Sequence, residues 1–218
     1  MPIRAVVFDV GETLVDETRH WGAWADWLGV TRFAMFAAMG AVIERRWNHR
    51  RVFEIVAPGV DLATEVEKRR AAGWRYGFEP GDFYPDAIPC LNALRAAGLK
   101  IGIAGNQPAE AENALAEARV PADFIAASER WGVEKPSLAF FDKVVEAAGA
   151  PASQIAYVGD RLDNDVLPAG RVGMTSVFIR RGPWGYVHAG WPEAAEADYR
   201  IESLAELPAL LTGIAQLA

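Results

Sequence analysis

The chain has 218 residues, of which 51% are hydrophobic and 23% are charged, so it can form one large domain or a core with a smaller domain. Its 22 Lys and Arg stand against 29 Asp and Glu, which gives a formal net charge of −7. An acidic chain repels phosphate backbones and anionic lipid, and this argues against nucleic acid or a membrane surface as a partner. The single cysteine, Cys90, excludes an intramolecular disulfide and fits a reducing compartment.

The first residues give no signal-peptide pattern, because the apolar run after Arg4 reaches Asp9 too soon for a hydrophobic core region. Elsewhere no apolar run approaches the roughly 18 residues that a membrane helix needs. We therefore expect a cytoplasmic protein.

Short apolar runs alternate with segments of helical periodicity through most of the chain. Residues 3–8 are rich in β-branched side chains and end at Asp9, which predicts a buried strand of a parallel sheet. Comparable runs occupy residues 100–104, 124–127, 155–158 and 175–179. The alternation predicts an α/β fold, with helices on both faces of a parallel sheet and ligands bound at the carboxyl ends of its strands.

Residues 17–83 interrupt this alternation, because they contain helical patterns and no good strand pattern. Their apolar residues fall on two helical faces, one through Trp21, Trp24 and Leu28 and the other through Phe36, Met39, Ile43 and Trp47. A third helix is predicted over residues 61–76. We therefore predict a small helical domain, residues 17–83, inserted after the first strand, and a core domain of residues 1–16 and 84–218.

Four polar segments lie at or near the predicted strand ends. They are Asp9-Val10-Gly11-Glu12-Thr13-Leu14, Ala104-Gly105-Asn106, Glu134-Lys135-Pro136 and Gly159-Asp160-Arg161-Leu162-Asp163-Asn164-Asp165. Any one of them is weak evidence, since a strand that ends in Asp and a lone Lys-Pro are both common. All four in this order form a strong pattern.

The acidic residues of these segments suit metal-assisted covalent chemistry. Asp9 could act as a nucleophile, because a carboxylate can attack phosphorus or carbon and form a covalent intermediate. Magnesium prefers oxygen ligands and often uses one or two carboxylates plus waters, so Asp9 and Asp160 are a natural pair. Asp165 would bind the cation or orient the site. The alternative is that residues 160–165 form only a polar turn that caps a helix.

The sequence is compatible with two roles for Lys135. Its ammonium group would pair with Asp9 and with an anionic substrate group, and so stabilise charge during transfer. The alternative is a solvated loop lysine before a proline.

Together the four segments resemble the motifs of the haloacid dehalogenase (HAD) superfamily, in the subgroup with a helical (C1-type) cap. The resemblance covers nearly the whole chain and implies a Rossmann-like parallel-sheet core with a small helical cap domain. It also implies that Asp9 is the nucleophile, with Lys135 as its charge partner and the Gly11 backbone carbonyl as a further Mg²⁺ ligand beside Asp160. The implied activity is that of a hydrolase, first of all a magnesium-dependent phosphatase acting on a small phosphorylated metabolite.

Two positions depart from the pattern of HAD phosphatases. Gly11 stands where the family has an Asp that protonates the leaving group, and Gly105 stands where a Ser or Thr binds the phosphoryl group. Each loss removes a group whose deletion typically costs ~10²–10³ in rate. A backbone N–H at Gly105 could still donate to a phosphoryl oxygen. Glu12 is the nearest candidate for a substitute acid/base, and Asp16 is the next.

Two further polar residues are candidates for substrate binding. Thr13 is expected to hold the first loop by hydrogen bonding, or else to open a helix. Asn106 is expected to offer its amide to the substrate or to the nucleophile's loop, or else to be a turn residue.

Other functions remain open at this stage. Because of Gly11 and Gly105, the chain could be a non-catalytic or weakly active protein that binds a ligand or a partner. A 2-haloacid dehalogenase is disfavoured because the acids at 160 and 165 are both retained. A phosphonate hydrolase would need a Schiff-base lysine in the insertion, and Lys68 lies in a charged run that looks solvated. The tryptophan-rich insertion is compatible with a homodimer.

Overall fold

The structure, a computed structural model, describes residues 2–213. The chain divides into two compact units. The core unit comprises the chain up to Asp16 and from Phe78 onward, and the helical unit is Glu17–Gly77. Residues 78–83, which the sequence assigned to the insertion, group with the core unit because Phe78 and Phe83 pack against its apolar cluster. That the helical unit serves as a cap stays a prediction.

The core unit contains a sheet of parallel strands, which confirms the predicted Rossmann-like α/β fold. Its described strands are β1 (Ala5–Phe8), β2 (Lys100–Gly105), β3 (Phe124–Ala127), β4 (Ile155–Gly159), β5 (Thr175–Ile179) and β6 (Tyr199–Ile201). They lie in the order β3-β2-β1-β4-β5-β6, and each neighbouring pair is parallel. The sequence predicted all of these except β6. That strand has only three residues, of which Ile201 alone is buried, so it lacks an apolar run.

The helices include those that periodicity predicted between the strands and at three places in the insertion, and others, such as the one at residues 52–56, that it did not predict. In the helical unit they are α1 (Thr18–Trp27), α2 (Arg32–Glu44), α3 (Val52–Val56) and α4 (Leu62–Ala71). In the core unit they are α5 (Ala87–Ala96), α6 (Glu110–Glu117), α7 (Ser128–Trp131), α8 (Leu138–Ala148), α9 (Leu167–Arg171), α10 (Gly182–His188) and α11 (Leu207–Thr212). Short 3₁₀ turns join several of them, and Leu162–Val166 forms one π-helical turn before α9.

The sheet has an apolar cluster on each face, as a two-residue period requires. Along β1, Val6 and Phe8 belong to one cluster, whereas Ala5 and Val7 belong to the other. Helix α5 packs on the first cluster and α8 on the second. The sheet is therefore covered on both faces, and the loops at its carboxyl edge are left to build a site.

The predicted apolar face of α2 was partly wrong. The residues it buries are Met35, Met39, Val42 and Ile43, which follow the spacing of a single helical stripe. Phe36 is exposed, and Trp47 lies beyond the end of the helix. The end comes early because Arg46 adopts a positive φ of 56°, a conformation that ends a helix.

Within residues 2–213 no single helix is long and apolar enough to cross a membrane. Helices α1 and α2 meet that criterion only as a pair, bent by 115°, and such a pair is weak evidence for a span.

Phe141 tests the packing of α8 on the sheet. Its ring is fully buried and contacts the rings of Phe140 and Tyr157. We expect Phe141→Ala to lower the free energy of unfolding by about 3–5 kcal/mol, because it removes buried apolar surface and leaves a cavity. Leu138→Ala, at an exposed position of the same helix, is the control and should change it by less than about 0.5 kcal/mol. Equal losses in urea denaturation would contradict this account of the core.

Candidate active site

Adjacent strands bring the key carboxylates together. Strands β1 and β4 are neighbours with Phe8 opposite Val158, and the Asp9 backbone N–H donates to the Val158 carbonyl at 2.9 Å. Asp160 follows β4 directly, and Asp165 lies in the π-helical turn after it. One carboxylate oxygen from each of Asp9, Asp160 and Asp165 lies within 4.8 Å of the others.

Lys135 is the cation of this cluster. Its Nζ lies 2.6 Å from Asp9 Oδ1 and 2.5 Å from Asp165 Oδ1, and its side chain is buried. Burial disfavours the charged form, but the charges of Asp165 and Asp9 outweigh it and raise the pKa of Lys135 well above its usual value. The residue is therefore a charged partner of Asp9, and the alternative of a solvated loop lysine is wrong.

Asn106 fixes the backbone that carries this lysine. Its Oδ1 accepts from the Lys135 backbone N–H at 2.7 Å, and its Nδ2 donates to the Lys135 carbonyl at 2.9 Å. The amide is thus committed to Lys135 and orients it. Direct contact of Asn106 with a substrate stays a prediction.

Asp160 has the chemical character of a metal ligand. Both of its carboxylate oxygens are buried, and neither has a hydrogen-bond partner among residues 2–213. Burial, followed by the charges of Asp165 and Asp9, raises the pKa of Asp160 well above its usual value. Asp160 also caps no helix, because its oxygens have no partner among residues 2–213 and the N-cap residue of the turn Leu162–Val166 is Arg161.

The cluster as a whole fits a divalent cation. Three ionised carboxylates and one ammonium would leave a net charge of −2 in a buried space. Oxygen ligands are those that Mg²⁺ prefers, so the unpaired oxygens of Asp160 beside Asp9 suit this ion. Asp165 is less free to bind it, since its oxygens accept from Lys135 Nζ and from the Arg161 backbone N–H at 3.1 Å.

Gly105 lies so close to the Asp9 side chain that a Cβ there would overlap it. A Cβ at this position would lie 2.6 Å from Asp9 Oδ1, a separation that real Cβ atoms essentially never show. A Ser or Thr here would therefore force the Asp9 side chain to move. The absence of a Ser or Thr hydroxyl at position 105 therefore goes together with the observed position of the Asp9 side chain.

Glu12 lies buried in the loop after β1 with a positive φ of 53°. Such a conformation is unfavourable for a residue with a side chain, so the surroundings must hold it. Tyr84 Oη donates to Glu12 Oε2 at 2.6 Å, and the same oxygen lies so close to Gly182 that a Cβ there would overlap it. Burial is the largest cause of the raised pKa of Asp160, and the charges of Asp165 and Asp9 follow. The charge of Glu12 makes a further, smaller contribution.

Thr13 does not open a helix, because the next helix, α1, begins at Thr18. The residue is fully buried, and its hydroxyl has no hydrogen-bond partner in the described chain. Its carbonyl accepts from Arg181 Nη1 at 3.1 Å. The backbone of Thr13, rather than its hydroxyl, therefore holds the loop in place.

Sequence reasoning missed several residues that support the site. Tyr157 donates to the Ala104 carbonyl at 2.7 Å, and Lys135 Nζ lies 5.6 Å from its ring centroid. Arg181 donates to Asp86 from both terminal guanidinium nitrogens, Nη1 and Nη2, while its Nη1 also donates to the first loop. Tyr157 could have been recognised from the sequence, because its hydroxyl is the one polar side-chain group in an apolar strand. The signal for Arg181 was its position just after β5, because loops at the ends of parallel strands build the site.

Comparison with known proteins places the chain in a family. A family model described as haloacid dehalogenase-like hydrolase matches residues 3–173. Over 127 residues the chain is 35% identical to a glyceraldehyde 3-phosphate phosphatase of Methanocaldococcus jannaschii, covering 57% of this chain and 54% of that protein. It is 33% identical over 143 residues to the protein of the same name from Methanopyrus kandleri, covering 63% and 61%. The matches thus span less than two thirds of these relatives.

Among solved structures, the fold is similar to that of a HAD phosphatase from Thermococcus onnurineus. The TM-score is 0.63 and the sequence identity is 25%, with 97% of this chain and 99% of that chain covered.

The buried ion pairs predict that Lys135→Met is strongly destabilising. The substitution would leave Asp9 and Asp165 buried without their cation, and such a loss typically costs about 3–5 kcal/mol. Lys143→Met is the control, because Lys143 is exposed and pairs with Glu146 at the surface. Urea denaturation without added metal measures both variants. If Lys135→Met unfolds at the same urea concentration as Lys143→Met, the assigned role of Lys135 is wrong.

Proposed function

The chain belongs to the haloacid dehalogenase-like hydrolases, and we propose that it is a magnesium-dependent phosphatase that acts on a small phosphorylated metabolite through an aspartyl-phosphate intermediate on Asp9. The observation that carries the proposal is the pairing of Asp9, held by Lys135, with Asp160, whose two buried oxygens have no partner within residues 2–213.

Asp9 and Asp160 would hold the Mg²⁺, with the backbone carbonyl of Gly11 as a further ligand. Asp165 acts next to them by orienting Lys135 and the loop at Arg161. When bound, the cation supplies charge neutralisation, because it offsets the repulsion between a carboxylate nucleophile and a dianionic phosphoryl group.

The reaction proceeds in two displacements at phosphorus. First an oxygen of Asp9 forms a bond to phosphorus, while the bond from phosphorus to the ester oxygen breaks and the alcohol leaves with a proton. A water oxygen then attacks the same phosphorus, the bond to Asp9 breaks, and inorganic phosphate is released. Lys135 keeps its proton throughout and stabilises the negative charge on Asp9 and on the group in transfer.

Proton transfer is assigned to Glu12, because Gly11 has no side chain. Its carboxylate is buried, and Tyr84 holds it in a fixed orientation. We expect turnover to be slower than in a phosphatase with the usual Asp, because Glu12 lies one position further along the loop. Asp16 is the next carboxylate in sequence.

Substrate binding is assigned to the second segment and to Thr13. The backbone N–H of Gly105 donates to a phosphoryl oxygen in place of the usual hydroxyl. Asn106 acts through Lys135, whose backbone it holds at both N–H and carbonyl. The hydroxyl of Thr13, which has no partner among residues 2–213, is a further donor.

The names of the relatives support a small phosphorylated substrate, since two of them are glyceraldehyde 3-phosphate phosphatases. The cytoplasm is the proposed compartment, and a homodimer is the proposed assembly.

The alternatives have less support. The buried Asp160 and Asp165 argue against a dehalogenase, which needs no metal site. Lys68 is exposed and pairs with Glu65 at 2.6 Å, so it is a poor candidate for a Schiff base. A protein that binds ligand without turnover would keep the metal site and lack hydrolysis, so an activity assay separates it from a phosphatase.

Magnesium should stabilise the folded protein through Asp160. At a concentration about 100 times its dissociation constant, the ion should add about 2.7 kcal/mol to the free energy of unfolding. Thermal unfolding in EDTA and in MgCl₂ measures this effect. Asp160→Asn should lose it, whereas Asp142→Asn, at an exposed position of α8, should keep it. An undiminished response to magnesium in Asp160→Asn would count against the proposed ligand set.

Hydrolysis of an aryl phosphate in the presence of Mg²⁺ tests the chemistry. Asp9→Asn should abolish turnover, because no other residue holds the nucleophile's position at the end of β1. Gly11→Asp should raise kcat by an amount on the order of 10², since it restores the usual acid/base. If the wild type is inactive on a broad panel of phosphate esters and Gly11→Asp remains inert, the phosphatase proposal fails and the ligand-binding alternative replaces it.

A further inference from the structure

The helical unit contains a buried arginine without a carboxylate partner. Arg69, on α4, is only 3% exposed. Its neighbours Lys68 and Arg70 are 58% and 44% exposed at the side chain and pair with Glu65 and Glu67. Within residues 2–213 no carboxylate pairs with Arg69, and its Nη1 is buried without a hydrogen-bond partner. Arg69 therefore differs in kind from the cations beside it.

Two tryptophans surround this guanidinium group. Its central carbon lies 4.0 Å from the ring centroid of Trp24 and 4.6 Å from that of Trp74. Aromatic faces attract a cation but do not use its in-plane N–H donors. Trp21 and Trp27 donate their indole N–H to glutamates. Trp24 and Trp74 donate theirs to no acceptor in the described residues.

A buried cation without an anion is unfavourable. Burial lowers the pKa of Arg69, yet a guanidinium group stays protonated at neutral pH. The two indole rings offset only part of the lost hydration. The surroundings do not supply the anion either, because Glu17–Gly77 carries ten Lys and Arg against seven Asp and Glu, a net charge of +3.

The chemistry of these donors indicates the missing partner. A planar guanidinium with free in-plane N–H groups matches the two oxygens of a carboxylate or phosphate, which it can bind in bidentate fashion. We propose that Arg69, flanked by Trp24 and Trp74, is the anion-binding group of a ligand site in the helical unit, which takes a small molecule with a carboxylate or phosphate group. The site is built from residues of that unit and does not depend on the proposed phosphatase activity.

The test measures binding of two simple anions to the full chain. Inorganic phosphate and acetate are titrated separately, in EDTA and at constant ionic strength, by calorimetry and by tryptophan fluorescence. The wild type should bind at least one of them with a change in fluorescence, because two tryptophans contact Arg69. Binding of acetate alone would identify the ligand group as a carboxylate, and binding of phosphate alone would identify it as a phosphate.

Matched variants assign the binding to this residue. Arg69→Met should weaken binding about tenfold or more, because it removes the charge-assisted hydrogen bonds. Arg70→Met makes the same change of charge at the adjacent, exposed position and should bind like the wild type. Arg69→Lys keeps the charge without the planar donors and should fall between the two.

Stability separates a ligand site from a purely structural role. Arg69→Met removes an unpaired buried charge, so without added anion it should unfold at no lower temperature than Arg70→Met. The proposal is overturned if neither anion binds the wild type, or if Arg69→Met binds as tightly as Arg70→Met. Should Arg69→Met fail to fold, Arg69→Lys decides, and unchanged affinity in that variant overturns the proposal.

Discussion

The core unit is organised around the problem of holding several negative charges in one buried place. Parallel strands present their carboxyl ends at the same edge, so neighbouring strands β1 and β4 bring Asp9 and Asp160 side by side. In a low-dielectric interior these charges repel one another strongly. Lys135 compensates one of them through its contacts with Asp9 and Asp165. The charge that remains is what makes the cluster suited to a divalent cation.

The same constraint explains the small residues around the cluster. A carboxylate can sit close to the backbone only where no Cβ intervenes, as at Gly105 beside Asp9 and at Gly182 beside Glu12. The two departures from the phosphatase pattern, Gly11 and Gly105, therefore have different structural consequences. Gly105 is coupled to the position of Asp9, whereas Gly11 simply removes an acid. The buried Glu12, which accepts a hydrogen bond from Tyr84, is the acid that we propose as its substitute.

The two units have opposite electrostatic character. The helical unit has a net charge of +3. Because the whole chain has a net charge of −7, the core unit has a net charge of −10. In the core unit the unbalanced charge is negative and favours a cation. In the helical unit a positive charge on Arg69 is left without a partner and favours an anion. In each case the buried group that the protein itself leaves uncompensated indicates the ligand.

The sequence by itself determined the fold class, strands β1 to β5 and the adjacency of Asp9 and Asp160. These follow from local patterns, since an apolar run forms a buried strand whatever lies far away in the chain. Only the tertiary structure decided which side chains meet. The pairing of Lys135 with Asp9, across 126 positions, was one of two roles that the sequence left open for this lysine, and the contact of Tyr84 with Glu12, across 72 positions, was not predicted. The buried face of α2 and the isolation of Arg69 were likewise settled by packing. The reason is that sequence periodicity depends only on residues that are close in the chain. Ion pairs and close contacts depend on how elements that are distant in the chain pack together.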